Sequence, residues 1–125
     1  MAFQLLIVDD SETMRQVIAR IVALSGLDVG TCLHASNGRE ALDVLRANWV
    51  DIVLTDVNMP VMNGEQFIAA MAADEMLRTI PVLVISTDGT RHRVERMMSL
   101  GAKGYVTKPF SPGQLRSRLE QLLHA

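Results

Sequence analysis

The chain has a single cysteine, Cys32, so no internal disulfide can form. Cys32 lies in the apolar-leaning run 29–35, where a small buried side chain is its expected role. Net charge is equally scarce. Twelve Lys and Arg against fourteen Asp and Glu leave −2 at pH 7, too little to draw the chain to nucleic acid or to an anionic membrane. No apolar run approaches the roughly 20 residues of a membrane span, and the first four residues lack the basic start and apolar stretch of a signal peptide. The expectation is a cytoplasmic protein with no membrane insertion. Internal repeats, low-complexity tracts and linkers are also missing, so the 125 residues are read as one domain, 1–125.

What the chain does have is hydrophobic pattern, 49% of its residues, arranged with two alternating periods. Short apolar runs at 5–8, 29–35, 50–55, 81–86 and 104–107 suit strands. Between the first two runs, Met14, Val17, Ile18, Ile21 and Val22 recur at spacings of three and four, and Gly26 offers a helix stop. Asn37 can cap a second helix carrying Ala41, Leu42 and Leu45, and a third with Phe67, Ile68 and Met71 follows the Asn63-Gly64 turn signal. A fourth runs from Thr90 through Val94, Met97 and Met98 to Gly101, its methionines expected in the core. In the last, Ser111 caps, Pro112 takes the first turn, and Leu115, Leu119, Leu122 and Leu123 share a face. Five strands alternating with five helices predict an α/β fold, a doubly wound parallel sheet covered on both sides.

In such sheets function collects at the carboxyl ends of the strands. There the first strand delivers Asp9 and Asp10, the third Asp56 and the fourth Ser86, while Lys108 follows the fifth. Any one of these acids alone reads as an ordinary helix cap or loop residue. Together, three carboxylates in one crevice repel and raise one another's pKa unless a cation sits among them. A magnesium ion and the Lys108 ammonium would balance them, and the balanced site could take a phosphoryl group whose oxygens both cations neutralise. Asp56 is then a candidate nucleophile, Ser86 a hydrogen-bond donor, and a salt bridge from Lys108 to one aspartate a compatible resting arrangement. Glu12 is assigned instead to the positive end of the first helix dipole.

The segments IVDDSETMR, TDVNMPVMNG, PVLVIST and GAKGYVTKPF, in this order and spanning nearly the whole chain, resemble the receiver domain of bacterial response regulators, especially the stand-alone members acting in chemotaxis. The resemblance implies a flavodoxin-like five-stranded sheet in the order 2-1-3-4-5. It implies Asp56 as phosphoacceptor, Asp10 and Asp56 as direct Mg2+ ligands, Asp9 acting through metal-bound water, and Asn58 ligating through its carbonyl. It further implies Lys108 and Ser86 on the phosphoryl group, Tyr105 as an aromatic switch moving with Ser86, and a cis bond between Lys108 and Pro109. The implied partners are a sensor histidine kinase or phosphotransfer protein, and a downstream target on the face of the fourth helix, fifth strand and fifth helix. A monomer is expected, without direct nucleic-acid binding. The chain would not be an enzyme but a signalling phosphoacceptor that catalyses its own phosphorylation and dephosphorylation.

Thr87 stands where the family often has a smaller residue, and Asn63 where aspartate is frequent; Thr87, Asn58 and Asp88 are the positions expected to govern access to the phosphoryl group. The basic run Arg91, His92, Arg93 and Arg96 reads as a solvated face before it reads as a dock for an acidic partner, with His92 facing solvent. A phosphorelay shuttle and a receiver cut from a larger kinase or transcription regulator remain open. A hydrolase resembling the haloacid dehalogenase phosphatases would need an acid two residues after Asp56, where Asn58 cannot serve. A flavin or nucleotide binder would want a glycine-rich or hydroxyl-rich phosphate loop after the first strand, where Asp9 and Asp10 stand.

Overall fold

A computed structural model describes residues 2–124. Strands β1 (Phe3–Val8), β2 (Val29–Ala35), β3 (Ile52–Thr55), β4 (Val82–Ser86) and β5 (Gly104–Thr107) alternate with helices α1 (Glu12–Leu24), α2 (Gly38–Ala47), α3 (Gly64–Ala72), α4 (Arg91–Leu100) and α5 (Pro112–Leu123). All strand pairs are parallel and the sheet order is β2-β1-β3-β4-β5. This is the doubly wound, flavodoxin-like arrangement expected from the sequence.

The side chains of each strand divide between two cores because successive residues point to opposite faces. Leu6, Val8, Val53, Val82 and Val84 pack with Ala41, Leu42, Leu45, Phe67, Ile68, Met71 and Met97, so α2, α3 and α4 cover one face. On the other, Leu5, Ile7, Leu54, Leu83, Ile85 and Val106 pack with Ile18, Val22, Leu115 and Leu119 from α1 and α5. Every residue of β3 and β4 is buried, which is why these strands read as unbroken apolar runs. Each helix starts at a side-chain cap: Ser11, Asn37, Asn63, Thr90 and Ser111 accept from the amides of Met14, Glu40, Gln66, Arg93 and Gln114.

Several residues depart from the expected placement. Strand β3 begins at Ile52, because Asp51 turns its carboxylate back to accept the Gln4 amide at 2.8 Å. Strand β4 begins at Val82, since Pro81 has no amide to donate, although its carbonyl still accepts from Val53 at 3.0 Å. Met97 is fully buried but Met98 is 41% exposed, contrary to expectation: the two point to different sides of α4, and only one side meets the sheet. Val17 is likewise 45% exposed, so the apolar stripe of α1 is wider than the face it buries. Cys32 is only half-buried, although that suffices to push its thiol pKa up.

These contrasts predict that Met97→Ala will cost about 2–5 kcal/mol in urea denaturation. Met98→Ala should stay within about 0.5 kcal/mol of the native chain.

Candidate functional site

The end of β1 is held by its neighbours on both sides. The Asp9 amide donates to Ala35 O of β2 at 3.1 Å, and the Asp56 amide donates to Val8 O at 2.9 Å. These bonds extend the two ladders by one rung and bring the acids after β1 and β3 together. One carboxylate oxygen from each of Asp9, Asp10 and Asp56 lies within 4.8 Å of the others. Asp9 is buried, Asp56 partly buried and Asp10 exposed, so the group faces solvent on one side only.

Asp9 is fixed from its own turn. Its Oδ1 accepts from the Ser11 amide at 2.9 Å, and its carbonyl accepts from Arg15 Nη1 at 2.6 Å. Its Oδ2 is buried without a hydrogen-bond partner among the described residues and lies 3.5 Å from the Lys108 ammonium. Lys108 reaches this position because its amide continues the β4–β5 ladder onto Ser86 O at 2.8 Å, just before a cis Lys108–Pro109 bond. The expected salt bridge from Lys108 to an aspartate is thus present, and its partner is Asp9.

Asp56 Oδ1 accepts from the Val57 amide at 2.7 Å. Burial nonetheless pushes the Asp56 pKa above the ordinary carboxylate value, with Asp9 and Asp10 adding to the rise and the Val57 amide and Lys108 opposing it. An all-oxygen donor set with one unpartnered buried carboxylate oxygen suits a hard divalent cation.

The remaining predicted residues surround this group without all joining it. Ser86 is buried, and its Oγ accepts from the Asp88 amide at 3.1 Å. Tyr105 Oη donates to the Asp88 carbonyl. Asn58 and Thr87 are exposed just beyond β3 and β4. His92 is exposed as expected, and each arginine of the basic run is paired within the chain: Arg91 with Glu95, Arg93 with Glu65 and Asp88, Arg96 with Glu65. The arginines of the run are thus ion-paired within the chain, with Arg93 more shielded than Arg91 and Arg96. A separate cavity of about 570 Å3 lies at the amino ends of β3 and β4, among Leu45, Trp49, Met76 and Pro81, remote from the acids.

Sequence reasoning missed the residues that hold the site. Arg15 stands one turn into α1, where an arginine shortly after an acidic strand end is the only available clue. Gly64 matters for closeness rather than for a turn: a Cβ there would lie 2.5 Å from Asp56 O, and its amide donates to Val57 O at 2.8 Å. The start of α3 is therefore seated directly on the backbone of Asp56 and Val57.

A 2-1-3-4-5 parallel sheet carrying an acid cluster and an adjacent lysine at its carboxyl edge defines a class of signalling domains that accept phosphoryl groups. Comparison with known proteins makes the assignment specific: residues 5–120 match the model of the response regulator receiver domain, and the chain belongs to that family. It is 39% identical over 121 residues to chemotaxis protein CheY1 of Helicobacter pylori strain J99, covering 96% of each chain. Among solved structures it matches the chemotaxis response regulator CheY4 of Vibrio cholerae with a TM-score of 0.84 and 32% identity, covering 98% of this chain and 100% of that one. It also matches the signal receiver domain of a signal transduction histidine kinase from Syntrophus aciditrophicus, at 0.86 and 33%, over 98% and 91%. The chain is accordingly a phosphoacceptor response regulator of two-component signal transduction, served by a histidine kinase or phosphotransfer partner. Among the described residues no helix is long and apolar enough to cross a membrane.

The raised Asp56 pKa carries a sign for stability. The native state holds this proton more tightly than the unfolded chain, so the ionised group costs stability at neutral pH; the cost shrinks as pH falls through the raised value and vanishes below the ordinary value of about 3.8. Without divalent cation, Asp56→Asn is expected to melt a few degrees above the native chain at pH 7. That difference should narrow on acidification, as followed by circular dichroism.

Proposed function

We propose that Asp56 is the phosphoacceptor of this receiver domain and that Asp9, Asp10, Asp56 and the Asn58 carbonyl hold Mg2+ beside it. The observation that carries this reading is the convergence of three carboxylates within 4.8 Å next to Lys108, with the buried Asp9 Oδ2 lacking a hydrogen bond. Bound Mg2+ would supply positive charge for the acids and for the oxygens of an incoming phosphoryl group. Asp10 and Asp56 are the direct ligands in this reading, with Asp9 one water removed.

One carboxylate oxygen of Asp56 attacks phosphorus, and the new P–O bond forms as the bond to the donor breaks. The donor keeps that electron pair, and a phosphohistidine donor then recovers its imidazole. Lys108 is placed to follow the developing negative charge, since its ammonium rests at 3.5 Å from Asp9 and can exchange that partner for a phosphoryl oxygen. Ser86 already accepts from the Asp88 amide, which leaves its hydroxyl proton to donate. Thr87, Asn58 and Asp88 border the approach and set how readily donor and water reach Asp56. Beside Lys108, the residues Met14, Val17, Ile21 and Phe110 line an apolar cavity of about 380 Å3 where a donor protein can seat apolar side chains of its own. Self-catalysed phosphorylation from a small donor and self-catalysed hydrolysis both follow from this arrangement.

Phosphorylation shifts an equilibrium between two arrangements of Ser86 and Tyr105, and the face formed by α4, β5 and α5 reports the shift to a target protein. Tyr105 is suited to this because it bridges β5 and the loop before α4 through the Asp88 carbonyl. The reading places a monomeric receiver in the cytoplasm. Control of motility is the output favoured by the chemotaxis relatives.

Incubation with acetyl phosphate and Mg2+ should add one phosphoryl mass to the intact native chain and none to Asp56→Asn. An unlabelled native chain, or an equally labelled variant, contradicts the assignment.

A further inference from the structure

The loop between β4 and α4 is tied down by an ion-pair bridge that the phosphoacceptor reading does not use. Arg93 Nη1 contacts Glu65 Oε1 at 2.7 Å, and its Nε lies 3.5 Å from Asp88 Oδ2. The bridge thus joins the first turn of α3 to the loop after β4 through Arg93, which lies 28 residues from Glu65 in sequence. The Arg93 and Glu65 side chains are 29% and 30% exposed, so this pair is shielded in a way that Arg91 and Glu95, at 91% and 64%, are not.

Both ends of the bridge lead back to the site. Glu65 follows Gly64, whose amide is bonded to Val57 O and at which a Cβ would lie 2.5 Å from Asp56 O. At the other end Asp88 is bonded through every polar group it has. Its amide donates to Ser86 Oγ, its carbonyl accepts from Tyr105, and its Oδ1 accepts from the Thr90 amide at 3.0 Å and hydroxyl at 2.7 Å. Asp88 therefore cannot move without disturbing Ser86, Tyr105 and the cap of α4 together.

We propose that Arg93 is a positioning residue for phosphoryl transfer: by bridging Glu65 and Asp88 it fixes the loop so that the Asp88 amide orients the Ser86 hydroxyl toward the phosphoryl oxygens. The amide occupies one lone pair of Ser86 Oγ, which turns the hydroxyl proton away from the loop. Without Arg93 the carboxylate of Asp88 keeps only its local bonds to Thr90, and the loop loses its tie to α3. The Ser86 hydroxyl then samples other rotamers, and part of its orientation must be recovered during transfer. This inference rests on Asp56 as phosphoacceptor, and it adds Glu65, Arg93 and Asp88 as the frame that aims Ser86.

The test is the rate of labelling by acetyl phosphate under saturating Mg2+, followed by intact mass, together with Mg2+ affinity by titration. Arg93→Gln and Glu65→Gln should each slow labelling about threefold while leaving Mg2+ affinity unchanged. The double variant should be no slower than the slower single, because each single already breaks the link from Glu65 through Arg93 to Asp88, Glu65→Gln removing the Arg96 pair as well. Arg93→Lys, which can reach one carboxylate but not both in fork geometry, should fall between Arg93→Gln and the native rate. Arg91→Gln, which removes an exposed pair on the same helix, should label at the native rate. Native rates in both single variants, multiplicative slowing in the double, or equal slowing by Arg91→Gln would each overturn the proposal. Those results leave the phosphoacceptor reading intact provided the native chain is labelled; a native chain that takes no phosphoryl group overturns both.

Discussion

Three carboxylates held within 4.8 Å of one another at the edge of a buried sheet are the constraint around which this protein is arranged. The Ser11 amide and Lys108 on Asp9, and the Val57 amide on Asp56, only partly offset their crowding. Partial burial, with the charges of Asp9 and Asp10 adding to it, raises the Asp56 pKa, and the Lys108 ammonium rests against Asp9. The acids persist because the ladders from β2 to β1 and from β1 to β3 run one residue past the strands and fix the backbone of Asp9 and Asp56. A cation and a phosphoryl group are the chemistry that such an arrangement accommodates, and membership of the receiver-domain family gives that chemistry its signalling role.

Rigid packing beneath the site is what allows this tension to be held. Apolar layers on both faces of β1, β3 and β4 leave those strands no lateral freedom, so the acids at their ends cannot spread apart. The response to a new charge must come from the loops instead. Of these, the β4–α4 loop is the best connected, since Asp88 meets Ser86, Tyr105, Thr90 and Arg93 at once. Ser86 is therefore linked to α4 and β5 through one residue, Asp88.

Much of this was legible in the sequence because it depends on local pattern. Apolar runs and helical spacing located all five strands and all five helices, and the side chains that cap helices were visible at Asn37 and Ser111. Asp9, Asp10, Asp56 and Lys108 could be assembled from topology alone, since a parallel doubly wound sheet must place its strand ends on one edge. What pattern could not reveal was depth and partnership. Val17 and Met98 continue apolar stripes yet lie beyond the width of the sheet that the helix covers, and Cys32 sits on an edge strand where burial is incomplete. The partners of Arg15 and Arg93 depend on how loops and helices dock, and a charge run on one helix gives no sign that its arginines are already paired with Glu65 and Asp88. Gly64 was visible as a turn residue, but its contact with Asp56 O was not.

The central claim is that the ionised Asp56 carboxylate, crowded by Asp9 and Asp10, is destabilising alone and balanced by a divalent cation. The most direct measurement is the thermal midpoint as a function of Mg2+ concentration at pH 7, for the native chain and for Asp10→Ala. The account predicts a midpoint that climbs with the logarithm of Mg2+ concentration once the site begins to fill, and a much weaker rise in the variant. A native midpoint indifferent to Mg2+, or an identical rise in Asp10→Ala, would contradict it.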